Sequence, residues 1–329
     1  MIVADSLWWG GRLHTGVALA GRRIVPVAEI PPDTPVRRLP GTVLPGLVDA
    51  HVHSALVALG TLRAAGIAAV WDLGGAPARV RALSKRPDLP RMRYAGPFLI
   101  APGGYPSDRS WAPAGSCREI HSAADAADAV GEAHAAGATL IKATAHAGGP
   151  LLPARTLAAL VGAAHAGGLP VVVHAEGPGT VAAAYEAGAD LLAHTPWTEV
   201  ADAALVRDCA ARMTWISTLD IHGWGSPTPA RATAIGNLRC FREHGGAVRY
   251  GTDLGNGPLP PGVNAREIRA LLEAGLSPAE IIAAMTEDDQ DELGWIPGGL
   301  GDDPATFADE LATARVLGPP VGPGCELKS

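Results

Sequence analysis

Between about residues 42 and 255 the chain alternates short apolar runs with alanine-rich stretches. The eight runs read TVLPGLVDAHVH, AAVWDLGG, RMRYAGPFLI, ATLIKATA, LPVVVHAEG, ADLLAHTPW, MTWISTLDIHG and AVRYGTDLG. Runs apolar on both faces imply parallel strands covered on both sides. The stretches between them, such as SAADAADAVGEAHAAG and PARTLAALVGAAHAGG, carry apolar residues at helical spacing and end in glycine. Eight strand–helix units in roughly 200 residues predict an α/β fold, a closed (β/α)8 TIM barrel. An open doubly wound sheet is the rival, but no GxGxxG or P-loop follows the first strand.

The two ends do not share this pattern. Residues 1–41 and 297–329 are rich in Pro and Gly, with short alternating pieces such as VALAGRRIVPVAEI and ATARVLGPP. They predict a small, reduced β-sandwich in which the ends of the chain meet beside a barrel spanning 42–296. Within NAREIRALLEAGLSPAEIIAAMTEDDQDELG the spacing predicts a helical pair broken at Gly275. Ser277-Pro278-Ala279-Glu280 reads as a capping box with proline at the first helical position.

Composition narrows the function. With 47% hydrophobic and 18% charged residues, the chain has material for a sizeable core. A net charge of −7 offers no basic surface for phosphate, which argues against a nucleic-acid partner. No stretch approaches the roughly 18 apolar residues of a membrane span, and the N-terminus lacks the positive and apolar regions of a signal peptide. Cys117, Cys209, Cys240 and Cys325 are scattered without a CxxC pair and read as ordinary thiols. The expectation is a cytoplasmic enzyme acting on a small molecule, with self-association into a homo-oligomer left open.

Polar residues in the apolar runs carry the chemistry. Asp49, His51, His53, Lys142, His174, His194 and Asp253 all fall in or at the ends of the expected strands. Side chains alternate across a strand, so His51 and His53 point the same way and can chelate one ion. Lys142 to His174 is 32 residues, one βα unit, and His194 to Asp253 is 59, two units. All would converge on the C-terminal mouth, where barrel active sites are built. His134, His165 and His244, on expected helices, read instead as surface or packing residues. Lys142, flanked by apolar residues, would lose solvation and with it basicity. A neutral amine there could take up carbon dioxide as a carbamate, a bidentate oxygen ligand, or the lysine could pair with a carboxylate such as Asp253. Both readings stay open on residue chemistry alone.

With LPGLVDAHVH, LIKATAHAGG, VVVHAEG, LLAHTPW and YGTDLG in this order, the chain resembles the amidohydrolase superfamily from about Leu44 to Gly294. WDLGG, IKATAHAGG and WISTLD most resemble its imidazolonepropionase-like and Xaa-Pro dipeptidase-like branch. The resemblance implies that His51, His53 and Asp253 bind the more buried of two divalent ions. It implies a carboxylated Lys142 bridging the pair, His174 and His194 on the second ion, and Asp253 as ligand and proton shuttle. The rival arrangement is mononuclear, with His51, His53, His174 and Asp253 as ligands, Lys142 unmodified and His194 polarising the substrate. Zinc fits the ligand types, with manganese, iron or nickel as alternatives. The chain departs from the family pattern at Trp71, Tyr105, His146 and Glu176, positions expected to contact substrate.

The expected reaction is hydrolysis by a metal-activated water, cleaving an amide or cyclic amide C–N bond with Asp253 and His194 as catalytic groups. Deamination of a heterocyclic amidine at a mononuclear site is the alternative, and a metal-binding relative without hydrolytic activity is the third. Candidate substrate contacts on the loops are Tyr105, Arg109, Trp111, His146, Trp197, Asp220, His222 and Trp224, with the tryptophans walling a pocket.

Overall fold

In the computed structural model, which describes residues 1–287 and 291–318, the apolar runs become parallel strands in two sheets. One has seven strands in the order Cys117–Glu119, Phe98–Ile100, Ile141–His146, Val171–Glu176, Leu191–Leu192, Thr214–Ile216 and Ala247–Arg249. The other has three, Leu47–Val52, Ile67–Asp72 and Arg91–Tyr94. Every pairing within both sheets is parallel. The run 91–100 supplies a strand to each sheet, and beyond the last strand Leu254 bridges Val52 in parallel. Tyr250 O accepts Ala50 N–H at 2.9 Å and Leu254 O accepts His53 N–H at 2.9 Å, which ties the eighth run to the first.

Strand periodicity sorts the core into two layers. Val48, Ala50, Ala69, Leu140, Val172, Leu191 and Ile216 pack with one another in one cluster. Their immediate neighbours Leu47, Val70, Ile141, Val171, Val173, Leu192 and Trp215 belong to a second cluster shared with the helices. Alternate residues of a strand face opposite ways, so both faces of these strands are dry. Helices Ala123–Ala135 and Ala154–Ala166 arise where the alanine-rich stretches stand. Each is followed by a left-handed glycine, Gly137 at φ +95° and Gly168 at φ +69°, a conformation that costs glycine little.

The helical pair expected near the end forms as Ala265–Glu273 and Pro278–Ala284, separated by Gly275 at φ +96°. Ser277 caps the second helix in a complete capping box with Glu280. The ends of the chain meet in one seven-stranded sheet ordered Arg315–Leu317, Leu293–Ile296, Arg37–Pro45, Ile2–Trp9, Val17–Ala20 and Arg23–Pro26, with Arg12–His14 beside Ile2–Trp9. It has its own apolar cluster around Leu7, Leu19 and Val43. Its strands reach to Pro45 from one side and begin at Leu293 on the other. Cys325 and the rest of 319–329 lie outside the described residues. No helix among the described residues is long and apolar enough to cross a membrane.

Replacing the capping serine removes a side-chain acceptor for the Glu280 N–H. Ser277→Ala is expected to lower stability by about 1 kcal/mol, read as a reduced urea midpoint with unchanged slope.

Candidate metal centre

The C-terminal ends of the parallel strands bring six of the expected residues to one buried locus. His51, His53, Lys142, His174, His194 and Asp253 are all buried, and all line one cavity of about 450 Å³. Asp253 is its centre. Its Oδ1 lies 3.1 Å from His51 Nε2 and 3.1 Å from His53 Nε2, and those two nitrogens are 3.3 Å apart. His51, His194 and Asp253 each offer a ligand atom within 4.8 Å of the others.

Partners behind these rings fix which nitrogen faces the cluster. His51 Nδ1 is 2.8 Å from Ala193 O, and His194 Nδ1 is 2.9 Å from Thr218 Oγ1. His53 Nδ1 approaches Gly74 O at 3.4 Å. In each case Nδ1 is occupied and Nε2 is left for the site, the pattern that orients metal-binding imidazoles. Burial holds the His51 and His194 imidazoles well below the usual range, hence neutral. Burial opposes ionisation of Asp253, but His51, a hydrogen bond from His53, and His194 hold its carboxyl well below the usual carboxylate range. Neutral imidazoles around an ionised carboxylate are the protonation states that a divalent ion requires. The donor set therefore fits a metal.

Burial also acts on Lys142. It lowers the ammonium pKa to about 7, against a smaller opposing pull from Asp253. No carboxylate lies within ion-pair distance of this lysine among the described residues, so the pairing with Asp253 left open by the sequence is not formed. An amine with this pKa is largely neutral above pH 7 and charged below it.

The backbone shows why the sequence turns here as it does. Asp253 sits at φ +58° and Thr218 at φ +46°, left-handed conformations unusual for such residues. Gly251 has no space for a side chain, since a Cβ would come within 2.4 Å of Ile216 and 3.0 Å of His51. Asp49, expected beside the metal ligands, turns instead to the seam. It accepts from Thr252 Oγ1 at 2.5 Å, Thr252 N at 3.0 Å and His51 N at 3.0 Å.

The loop residues divide. Tyr105, Arg109, Trp111 and His146 line the cavity, as does Glu176. The Tyr105 ring stacks on His174 at 4.8 Å, and the Arg109 guanidinium lies over the Tyr105 ring at 5.5 Å. Trp197 stands edge-on to His194 at 5.4 Å and stacks on His222 at 4.7 Å. Burial lowers His222 to about 4. Asp220 is not presented to the cavity: its buried carboxylate is taken by Arg266 Nε at 2.9 Å and Asn264 Nδ2 at 2.8 Å. Trp224 is largely exposed, its indole N–H 3.3 Å from Asn256 O. Trp71 lies in the apolar layer below the site, hydrogen-bonded to Glu287 with Arg93 over its ring, so it is no substrate contact. Phe98, Leu56 and Asn256 line the cavity without having been singled out by sequence. Asn256 had a local signal, three residues after Asp253, and donates to Asp253 Oδ2 at 2.9 Å.

Comparison with known proteins bears on the fold. No family model matches the chain. Uncharacterized proteins of Mycobacterium bovis and Mycobacterium tuberculosis are 29% identical to it over 86% of this chain and 81% of theirs. A Xaa-Pro dipeptidase crystallised with methionine in its active site superposes with a TM-score of 0.75 at 19% identity, covering 96% of both chains. The ochratoxinase of A. niger gives 0.77 at 17% identity over 95% of this chain and 92% of that one. An amidohydrolase gives 0.72 at 20% identity over 94% of each. The chain thus shares its fold with a Xaa-Pro dipeptidase, an ochratoxinase and an amidohydrolase, as the motifs led one to expect.

The lysine provides a direct check on the site's dryness. In metal-free protein, Lys142 is expected to titrate near pH 7 by NMR of the side-chain amine, well below the ordinary lysine value of about 10.4. A Lys142 titration at the ordinary lysine value would contradict the burial described.

Proposed function

We propose that the chain is a metal-dependent hydrolase that cleaves the C–N bond of an amide or cyclic amide in a small molecule. The observation that carries this reading is the convergence of His51 and His53 on one oxygen of Asp253, with His194 on the same locus. The reading takes the parallel strands as a closed (β/α)8 barrel over 42–296. Support comes from the Val52–Leu254 bridge, the shared run 91–100 and the two-layer sorting of strand residues. The terminal sheet, with strands from Ile2 to Pro45 and from Leu293 to Leu317, is then the reduced β-sandwich, a few residues wider on each side than 1–41 and 297–329, and the enzyme works in the cytoplasm.

A bound divalent ion, zinc by ligand type, would supply Lewis acidity and lower the pKa of a water from 15.7 toward about 7. Asp253, ionised and steadied through Oδ2 by Asn256, accepts the proton of the attacking water and returns it to the leaving nitrogen. With Nδ1 accepting from the Thr218 hydroxyl, neutral His194 carries its proton on Nε2 and donates it as a hydrogen bond to the developing oxyanion. Phe98, Tyr105 and Trp111 add aromatic surface to the lining of the same cavity. Lys142 joins the site as a carbamate, supported by its burial and near-neutral pKa. Two ions per chain are expected, with His174 serving the second.

Four outcomes test the reading. The protein should hydrolyse at least one member of a panel of N-acyl amino acids and cyclic amides. A chelator should abolish that activity and zinc should restore it, whereas ammonia release from heterocyclic amidines alone would favour deamination. Asp253→Asn should lower kcat on the same substrate by about 10²–10⁴-fold with unchanged circular dichroism; wild-type rates in this variant would remove Asp253 from the chemistry. Bicarbonate at pH 8 should raise metal content in wild-type protein and leave Lys142→Met unaffected.

A further inference from the structure

Beside the Asp253 cluster lies a second set of convergent donors, two of which are this chain's departures from the resemblance. Strands Ile141–His146 and Val171–Glu176 pair in parallel, with Thr144 opposite His174 and His146 opposite Glu176. Residues two apart on a strand share a face, so His174 and Glu176 point the same way at the strand end. His146 reaches them from the neighbouring strand's last position. Glu176 Oε2 thus lies 3.0 Å from His174 Nε2 and 3.0 Å from His146 Nδ1. All three donor atoms are within 4.8 Å of one another.

His146 Nδ1 makes the cluster unusual. It is buried, yet its approach to Glu176 is not in line for a hydrogen bond, and it has no other hydrogen-bond partner. A buried ring nitrogen that faces a carboxylate without an aligned hydrogen bond is left with its lone pair or proton unsatisfied. The ring is also held in place. Tyr105 packs 5.0 Å from it, and a Cβ at Gly148 would fall within 2.6 Å of its Nε2. Tyr105 covers His174 in the same way at 4.8 Å.

We propose that His146, His174 and Glu176 bind a divalent ion of their own, apart from the ion held by His51, His53 and Asp253. This deepens the metal-centre reading and rests on it. Two imidazoles and one carboxylate are the set that catalytic zinc sites use, with a coordination position left open. Here the open position faces the cavity bordered by Arg109 and Trp111, where a substrate carbonyl or carboxylate oxygen can reach it. The donor atoms fall into two triads, His194 with His51 and Asp253, and His174 with His146 and Glu176, although the His174 and His194 rings meet edge to face at 5.0 Å. The second ion would then lie outward of Lys142 and His194, at two positions where the chain departs from the resemblance. The competing role for Glu176 is a hydrogen bond that merely orients His174.

Anomalous diffraction from zinc-loaded wild-type crystals locates the ions directly. The expected map has one peak at His51, His53 and Asp253 and a second bounded by His146 Nδ1, His174 Nε2 and Glu176 Oε2. A second peak between Lys142, His174 and His194, or a peak at Asp253 alone, overturns the proposal and leaves the metal-centre reading standing. No peak at either place ends both. In solution, His146→Phe and Glu176→Gln should each lose one zinc per chain by mass spectrometry, and Lys142→Met should keep the outer zinc. Full metal content in both of the first two variants would likewise contradict the proposal.

Discussion

One oxygen, Asp253 Oδ1, holds the site together by standing within 3.1 Å of two imidazole nitrogens from the first strand. A buried carboxylate is costly unless paired or coordinated, and the surrounding chain is arranged to keep this one ionised. The run YGTDLG performs that task residue by residue. Gly251 admits the close approach of His51 and Ile216, Thr252 anchors the turn on Asp49, and the left-handed backbone at Asp253 aims the carboxylate inward. Such backbone strain persists only where the surroundings over-determine it. Here the seam between the first and eighth runs provides that constraint.

Around this charge the walls are aromatic and the partners are layered. Tyr105 and Trp197 cover His174 and His194 from opposite sides of the locus, while Ala193 O and Thr218 take up the far nitrogens of His51 and His194. A dry wall strengthens every electrostatic interaction it encloses. The same exclusion of water that lowers the basicity of Lys142 keeps His51 and His194 neutral. Arg109 and Glu176, by contrast, stand where the cavity opens, and place opposite charges within reach of a polar small molecule.

Much of this was legible in the sequence because local periodicity and chain order set it. Apolar runs on both faces gave the parallel strands, and alanine-rich stretches ending in glycine gave Ala123–Ala135 and Ala154–Ala166. The histidines and Asp253 stood out because polar residues in two-sided apolar strands have few structural uses. What escaped depends on partners distant in the chain. Asp220 read as a rim contact, but Arg266, 46 residues on, takes its carboxylate. Trp71 read as a substrate position, but Glu287 lies 216 residues away and claims its indole N–H. Phe98 carried no signal, since a phenylalanine in an apolar run is indistinguishable from core until the cavity is seen.

The claim that a divalent ion joins His51, His53 and Asp253 is most directly tested by titrating metal-free protein with cobalt(II) and recording visible absorption. The account predicts saturable d–d bands of a nitrogen- and oxygen-ligated ion, reduced in the His51→Asn and Asp253→Asn variants. A featureless titration of folded wild-type protein would contradict it.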